Sequence, residues 1–390
     1  MSAIGGPNIV DDSLVFYYDT FNQLKSYRGE PTVNYITTMA SAIGGNTSLT
    51  YPETVYISTA LETNVTDPSA PGGQYSRFTG NTDSANNQLY TRFNSAGIDV
   101  RNTTITYSVY LKGSGTCHLT IYADNTGYGT SPTITLTDQW TRYSYTRAVT
   151  NYTTNCWVAV RGLYTTTNVY VAAQQSELKS HATPFVNGTR SATQGLIDLT
   201  GNSTIDLTNV SFDSNAQMTF DGTTDYVTVP HNTAHSFTGD FSIEIVFKPT
   251  GNTANCLIQK GSGNDYFQEY WVLCDTRSSN RQFELIMGKV GNTSANYNVN
   301  ASNSVTIGQY HHIVTGVQGS TGFMYVNGEL IDTGAVIDRI QSTSDIRIGE
   351  RVDGFADSLG DQPLTKIYNR ALTASEVKSN FNAIKGRYNL

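Results

Sequence analysis

The sequence predicts an all-β fold of antiparallel sandwiches with one short C-terminal helix, and three observations carry that prediction. The first is period-two alternation. Ile105, Val109 and Leu111 alternate with Thr104, Thr106 and Ser108, the pattern of a strand with one buried face. The second is turn chemistry. Phe323–Val326 and the run Glu329–Asp332 are joined by Asn327-Gly328, and an Asn-Gly pair between such runs signals a tight hairpin because both turn positions need φ > 0. The third is composition. Charged residues are only 14 % of the chain, against roughly 25 % in an average soluble protein. Thr, Ser, Asn, Gly and Tyr replace them, and the 25 tyrosines outnumber the 24 Lys and Arg residues, a mix suited to half-exposed pleated surfaces and turns.

Further strands follow in order. Cys117, Leu119, Ile121 and Ala123 should face a core, with His118, Thr120 and Tyr122 facing outward. Val169 and Val171 mark another strand, and Phe241, Ile243, Ile245 and Phe247 alternate with Ser242, Glu244 and Lys248. The one convincing helix is C-terminal. Thr373 and Glu376 form a T-x-x-E capping box, and Leu372 and Val377 are placed for a hydrophobic staple. Val377, Phe381 and Ile384 line one face, and Gly386 is expected to end the helix. Breakers at Arg28–Pro31 and His181–Gly188 mark boundaries.

A chain of 390 residues is expected to hold two or three domains. Its net charge of −8 and lack of any Lys/Arg cluster argue against a nucleic-acid partner. No apolar run is long enough for a membrane-spanning helix, and the start Met1–Pro7 lacks the features of a signal peptide. Cys117, Cys156, Cys256 and Cys274 show no C-x-x-C spacing and read as four buried thiols, with a Cys256–Cys274 disulfide as the alternative.

From residue 196 onward the chain resembles the laminin-G/concanavalin-A-like lectin superfamily. The resemblance rests on Phe220–Val229, Phe241–Phe247, Tyr310–Val314, Gly322–Leu330, Asp345–Gly349 and Ile367–Val377, in that order. Asn8–Asp19, with Lys25–Tyr27, is similar to the opening strand of phage members of the family, which normally runs straight into a segment like Asp198–Asn202. Here a long stretch intervenes. It resembles carbohydrate-binding-module-like jelly rolls of phage virion proteins through Thr104–Lys112, Thr137–Arg142, Ala172–Leu178 and Ala182–Phe185. The resemblance thus implies two antiparallel jelly-roll sandwiches, one of them discontinuous. Residues 1–30 and 189–390 would form the lectin-like sandwich, and residues 31–188 the inserted jelly roll. One departure is the loop Asp353–Pro363, which replaces the family's Gly-rich turn and short strand and leaves the pairing of the last strand open.

Glycosidases on such sandwiches place carboxylates as E-x-D-x-x-E along one strand, because acid and nucleophile must flank one bond. The chain has no such run, and no G-x-S-x-G, H-E-x-x-H, Walker or zinc spacing. A non-enzymatic protein is therefore expected. His311 and His312 should point one inward and one outward, and His231 and His235 could meet in a loop. Calcium is the ion suggested by the Asp/Asn-rich loops and by the family, with Asp19, Asp198, Asp221 and Asp225 as candidate ligands against turn formation as the alternative. Candidate sugar-stacking residues are Tyr122, Tyr128 and Tyr164 in the insert and Tyr266, Tyr270 and Trp271 in the lectin-like part, whereas Trp140 and Trp157 are expected between the sheets.

Three functions stay open. The first, implied by the phage resemblance, is a virion structural protein, as head decoration, head fibre or tail-fibre subunit. It would lie on the particle exterior after assembly in the host cytoplasm, contacting other virion proteins, copies of itself as a homo-oligomer, and host surface polysaccharide. The second is a stand-alone carbohydrate-binding protein. The third, least favoured for want of the carboxylate motif, is a glycan-degrading enzyme.

Overall fold

A computed structural model describes residues 9–38, 59–79, 88–93, 97–163 and 168–390. The chain divides into two compact units: Met1–Pro31, Ser191–Asp213 and Gln217–Leu390 form one, and Thr32–Arg190 with Ser214–Ala216 the other.

The larger unit is a sandwich of an eight-stranded and a seven-stranded antiparallel sheet. The first sheet is centred on Leu359–Tyr368 and Phe241–Pro249, followed by His311–Gln318, Thr321–Val326 and Glu329–Ala335. Leu14–Asp19 pairs with Leu359–Tyr368 (Asp19 opposite Leu364, Leu14 opposite Tyr368), so the opening and closing strands of the chain are hydrogen-bonded neighbours. The second sheet includes Ala254–Gly261, Gln268–Asp275, Gln282–Gly288 and Asn296–Ala301. Phe241, Ile243, Ile245 and Phe247 from one sheet meet Ile258, Tyr270, Val272, Phe283 and Leu285 from the other in one core. The Asn327-Gly328 hairpin has φ of 52° and 82°, the left-handed pair that its sequence demands.

The alternation at Ser242 and Glu244 does not mark a solvent face, since both are fully buried. The C-terminal helix covers that face. Thr373 accepts from Glu376 N, and the Glu376 side chain returns to the Thr373 backbone, so the capping box forms. Leu372 and Val377 pack in one apolar cluster with Val314, Phe323 and Tyr368. The helix runs Ala374–Tyr388 and passes through Gly386; Asn389, at φ 56°, supplies the left-handed cap instead. The expected stop at Gly386 is thus corrected by three residues, to Asn389, because Asn adopts the left-handed conformation as a cap. The buried stripe includes Asn380 beside Val377, Ile384 and Tyr388.

The loop at 353–363 does not disturb the last strand. Arg351 is buried and ion-paired to Asp265 and Asp353, and Ala356 is buried against Cys256 and Trp271. Leu359–Tyr368 then pairs over most of its length with Phe241–Pro249.

The smaller unit has two five-stranded sheets. One runs Thr141–Val149, Thr103–Ser114, Asn168–Glu177, Gln74–Thr79, Thr59–Thr66. The other runs Gln88–Arg92, Cys156–Arg161, Thr116–Ala123, Gly127–Thr130, with Ile134–Thr135 also pairing to Thr116–Ala123. Its core holds Ile105, Tyr107, Val109 and Leu111 against Cys117, Leu119, Ile121, Val158 and Val160.

All four cysteines are buried thiols. Cys256 and Cys274 cannot pair, because Cys274 faces the main core and Cys256 the cluster on the other side of the same sheet.

Candidate functional site

The outer face of the smaller unit's second sheet gathers aromatic residues by register. Cys117, Leu119, Ile121 and Ala123 turn into the core, so Tyr122 must point outward. On the neighbouring strand Cys156, Val158 and Val160 turn inward, which sends Trp157 and Arg161 to the same outer face. Trp157 lies opposite Tyr122, and Tyr128 lies opposite Tyr122 on the other side. The Tyr122 and Trp157 rings stack at 4.8 Å with 20° between planes. Tyr128 leans on both, at 4.7 Å from Tyr122 and 5.8 Å edge-on to Trp157.

Burial grades across this row. Trp157 is 6 % exposed, Tyr122 half-buried, and Tyr128 53 % exposed. Trp157 is therefore the foundation and Tyr128 the accessible ring. The Arg161 guanidinium sits 4.1 Å from the Tyr128 ring centre, within cation–π range. The hairpin bearing Tyr128 is fastened on both sides. Arg147 donates to the carbonyls of Ile121, Gly127 and Thr126 at 2.6, 2.7 and 2.9 Å. Asp124 accepts from the backbone N–H groups of Thr153, Thr154 and Asn155. Burial works against the Asp124 charge, but these N–H donors outweigh it and hold the carboxyl below the usual carboxylate range. A rigidly mounted aromatic ring with a guanidinium beside it can stack on the apolar face of a sugar ring and donate to its oxygens.

The other expected stacking residues fare differently. Tyr164 lies outside the described residues. Tyr266 is half-buried in the 3-10 turn Asp265–Phe267. Tyr270 and Trp271 are corrected: at 0 % and 1 % exposure they offer no face to a ligand. Tyr270 points into the main core, and Trp271 points the other way beneath residues 351–356, with the Arg351 guanidinium 4.7 Å from its ring. The expectation that Trp140 and Trp157 lie between the sheets is also corrected, since neither belongs to the core cluster. The missed signal for Trp157 was its parity with respect to Cys156, Val158 and Val160.

The four candidate calcium ligands have other partners. Asp19 is a buried bidentate partner of Arg387, at 2.7 Å to each guanidinium nitrogen. Asp198 accepts from the N–H groups of Tyr17, Thr200 and Ser203. Asp221 caps the turn at Thr223 and Thr224, and Asp225 accepts from Ser211 and from Asp221 N. Among the described residues, no group of three or more His, Cys, Asp or Glu side chains converges as a metal site. His231 contacts Lys260, while His235 is buried at 5.6 Å from the Phe16 ring. His311 faces Phe283 and His312 faces Glu244, one on each side of the sheet as their alternation requires.

One fully buried acid, Glu244, is structural. Glu244 accepts from Lys366 at 3.0 Å, Tyr368 at 3.0 Å and Asn380 at 2.6 Å, with His312 Nε2 at 3.2 Å. Burial would raise its pKa, but the Lys366 ammonium and His312 more than offset this and hold it at about 2. With no exposed surface it reaches no substrate; it fixes the helix to the sheet. On the same sheet a shallow hollow of about 330 Å³ is lined by Phe323, Tyr325, Leu330 and Leu372 among others, none of them charged.

Residues 221–378 match a laminin-G-type family model described as the concanavalin A-like lectin/glucanases superfamily. The matched stretch lies within the larger unit. Among solved structures, the chain is similar to the botulinum neurotoxin serotype D ligand binding domain in complex with N-acetylneuraminic acid, at 14 % identity and a TM-score of 0.38, covering 49 % of each chain. It is also similar to the botulinum neurotoxin type G receptor binding domain, at 20 % identity and TM-score 0.37, covering 49 % of each chain. A third similar structure is the Trypanosoma rangeli sialidase, at 15 % identity and TM-score 0.37, covering 48 % of this chain and 30 % of that one. The chain thus spans about half or less of the length of these structures. No curated protein matches the sequence.

Proposed function

We propose that the protein binds glycans without catalysis, and that the Tyr122–Tyr128–Trp157 face of the smaller unit is its sugar contact. The observation that carries this reading is the Tyr128 ring, 53 % exposed yet mounted on two further aromatic rings and flanked by Arg161. An exposed ring normally forfeits burial; one held rigid loses little entropy when a sugar stacks on it. Affinity electrophoresis through a panel of immobilised polysaccharides, followed by calorimetry on the retained one, tests it. Tyr128→Ala should abolish retardation by neutral polysaccharides while leaving the melting temperature unchanged. Equal retardation of the variant and the parent by every polysaccharide would reject the site.

The setting we propose is the exterior of a phage particle, where the protein serves as a head or tail component assembled with other virion proteins and copies of itself. The support is the N-terminal resemblance around Asn8–Asp19 and a composition poor in charge and rich in Tyr and Thr, suited to repeated protein contacts. Mass spectrometry of purified particles should find the chain, and its absence would remove this setting without touching the glycan reading.

A further inference from the structure

The opposite outer face of the smaller unit carries a second aromatic row with a different chemistry. Register aligns Arg77, Tyr170 and Lys112 on three neighbouring strands, and Trp140 directly precedes Thr141, the partner of Leu111. Tyr75 completes the group, with its ring 5.5 Å from Tyr170 and 6.4 Å from Trp140. The Lys112 ammonium lies 5.1 Å from the Trp140 ring and 4.9 Å from the Tyr170 ring. All five residues are half-buried and none belongs to the core cluster.

The cations differ in how they are engaged. Arg77 donates through Nε to Asn168 Oδ1 at 3.0 Å and approaches Glu62 at 3.8 Å. Lys112 makes no hydrogen bond and no ion pair among the described residues; its neighbours are the two rings. One acid that feels its charge, Asp67, is already held by the N–H and hydroxyl of Ser69. An ammonium offers three donors. Here they stand beside two rings set edge to face, in a chain of net charge −8 where local positive charge is scarce.

We propose that this face is a second glycan site, separate from Tyr128, and that it selects acidic sugars. The Trp140 and Tyr170 rings meet edge to face, at 6.5 Å and 83°, so a pyranose ring would stack on one of them with the other as a side wall, and its carboxylate or sulfate would accept hydrogen bonds from Lys112 Nζ. A neutral sugar could stack equally well but would bring no countercharge to the ammonium, so the preference for acid comes from the lysine and the affinity from the rings.

The test uses the whole chain and two probes, hexagalacturonate and neutral galactohexaose, followed by the indole N–H signals of its three tryptophans in NMR. Trp140→Phe assigns the Trp140 signal. Hexagalacturonate should shift it saturably, at least tenfold more tightly than galactohexaose, and the binding should weaken as salt rises. Lys112→Met should remove the acid preference, Lys112→Arg should keep it, and Tyr128→Ala should leave this site unchanged. The three dispersed indole signals report whether each variant is folded. A Trp140 signal unmoved by millimolar hexagalacturonate overturns the proposal. So does a folded Lys112→Met that binds the acidic probe as the parent does. Loss of binding at this site in Tyr128→Ala would show a single site and also overturn it.

Discussion

Replacing Lys366 by Met should destabilise the larger unit more than any surface change. The Lys366 ammonium is 3.0 Å from Glu244, and both side chains are fully buried. In its absence Glu244 keeps His312, Tyr368 and Asn380, but the charge that offsets its desolvation is gone. Glu244 is held at about 2 against an ordinary 4.5, a difference of about 3 kcal/mol. Breaking one partner of a buried pair costs about 3–5 kcal/mol, so both routes give a similar figure. The sign with pH follows. A carboxyl depressed in the folded state contributes stability that is present above pH 4.5 and is lost as pH falls from 4.5 toward about 2. Lys366→Met should lack most of that acid-sensitive stability. Urea unfolding of 5-fluorotryptophan-labelled protein by 19F NMR checks it, because Trp271 is the one tryptophan in this unit and gives its own resonance. The double variant Glu244→Gln/Lys366→Met should recover part of the loss, since neither partner is then left as an uncompensated charge. A Lys366→Met protein within about 1 kcal/mol of the parent at pH 7 would refute the reasoning, as would an unchanged acid slope.

Other expectations follow from single contacts. Trp157→Ala should weaken glycan retardation and also cost about 3 kcal/mol of stability in the smaller unit, read from its melting curve, whereas Tyr128→Ala should affect binding alone. Gly316→Ala should cost about 3 kcal/mol in urea unfolding, because a Cβ there would lie 2.0 Å from Phe241 O on the paired strand. Thr373→Ala should cost about 1 kcal/mol through loss of the capping box, with Thr373→Ser near the parent. The four thiols should react with Ellman's reagent only after urea is added. Burial pushes Cys117 and Cys156 up to about 12 and Cys256 and Cys274 also upward; rapid reaction of the native protein would contradict the packing.

By itself the sequence determined the strands, the hairpin and the helix start. These depend on neighbours along the chain: the parity of Cys117–Ala123, the φ demands of Asn327-Gly328, and the reciprocal hydrogen bonds of Thr373 and Glu376. Parity says which side of a strand a residue takes, and so Tyr122 was legible as outward. It does not say what covers that side. Tyr270 and Trp271 are adjacent and face opposite ways, yet both are buried, because residues 351–356 fold over the outer one. Glu244 reads as solvent-facing by alternation and is fully buried because a helix more than a hundred residues later lies on it. Asp19 was a candidate ligand by sequence, and only the fold brings Arg387, from the far end of the chain, to both its oxygens. The aromatic rows at Trp157–Tyr122–Tyr128 and at Tyr170–Trp140 likewise exist only through strand register. Their members are scattered in sequence, and only hydrogen bonding between distant strands sets them side by side.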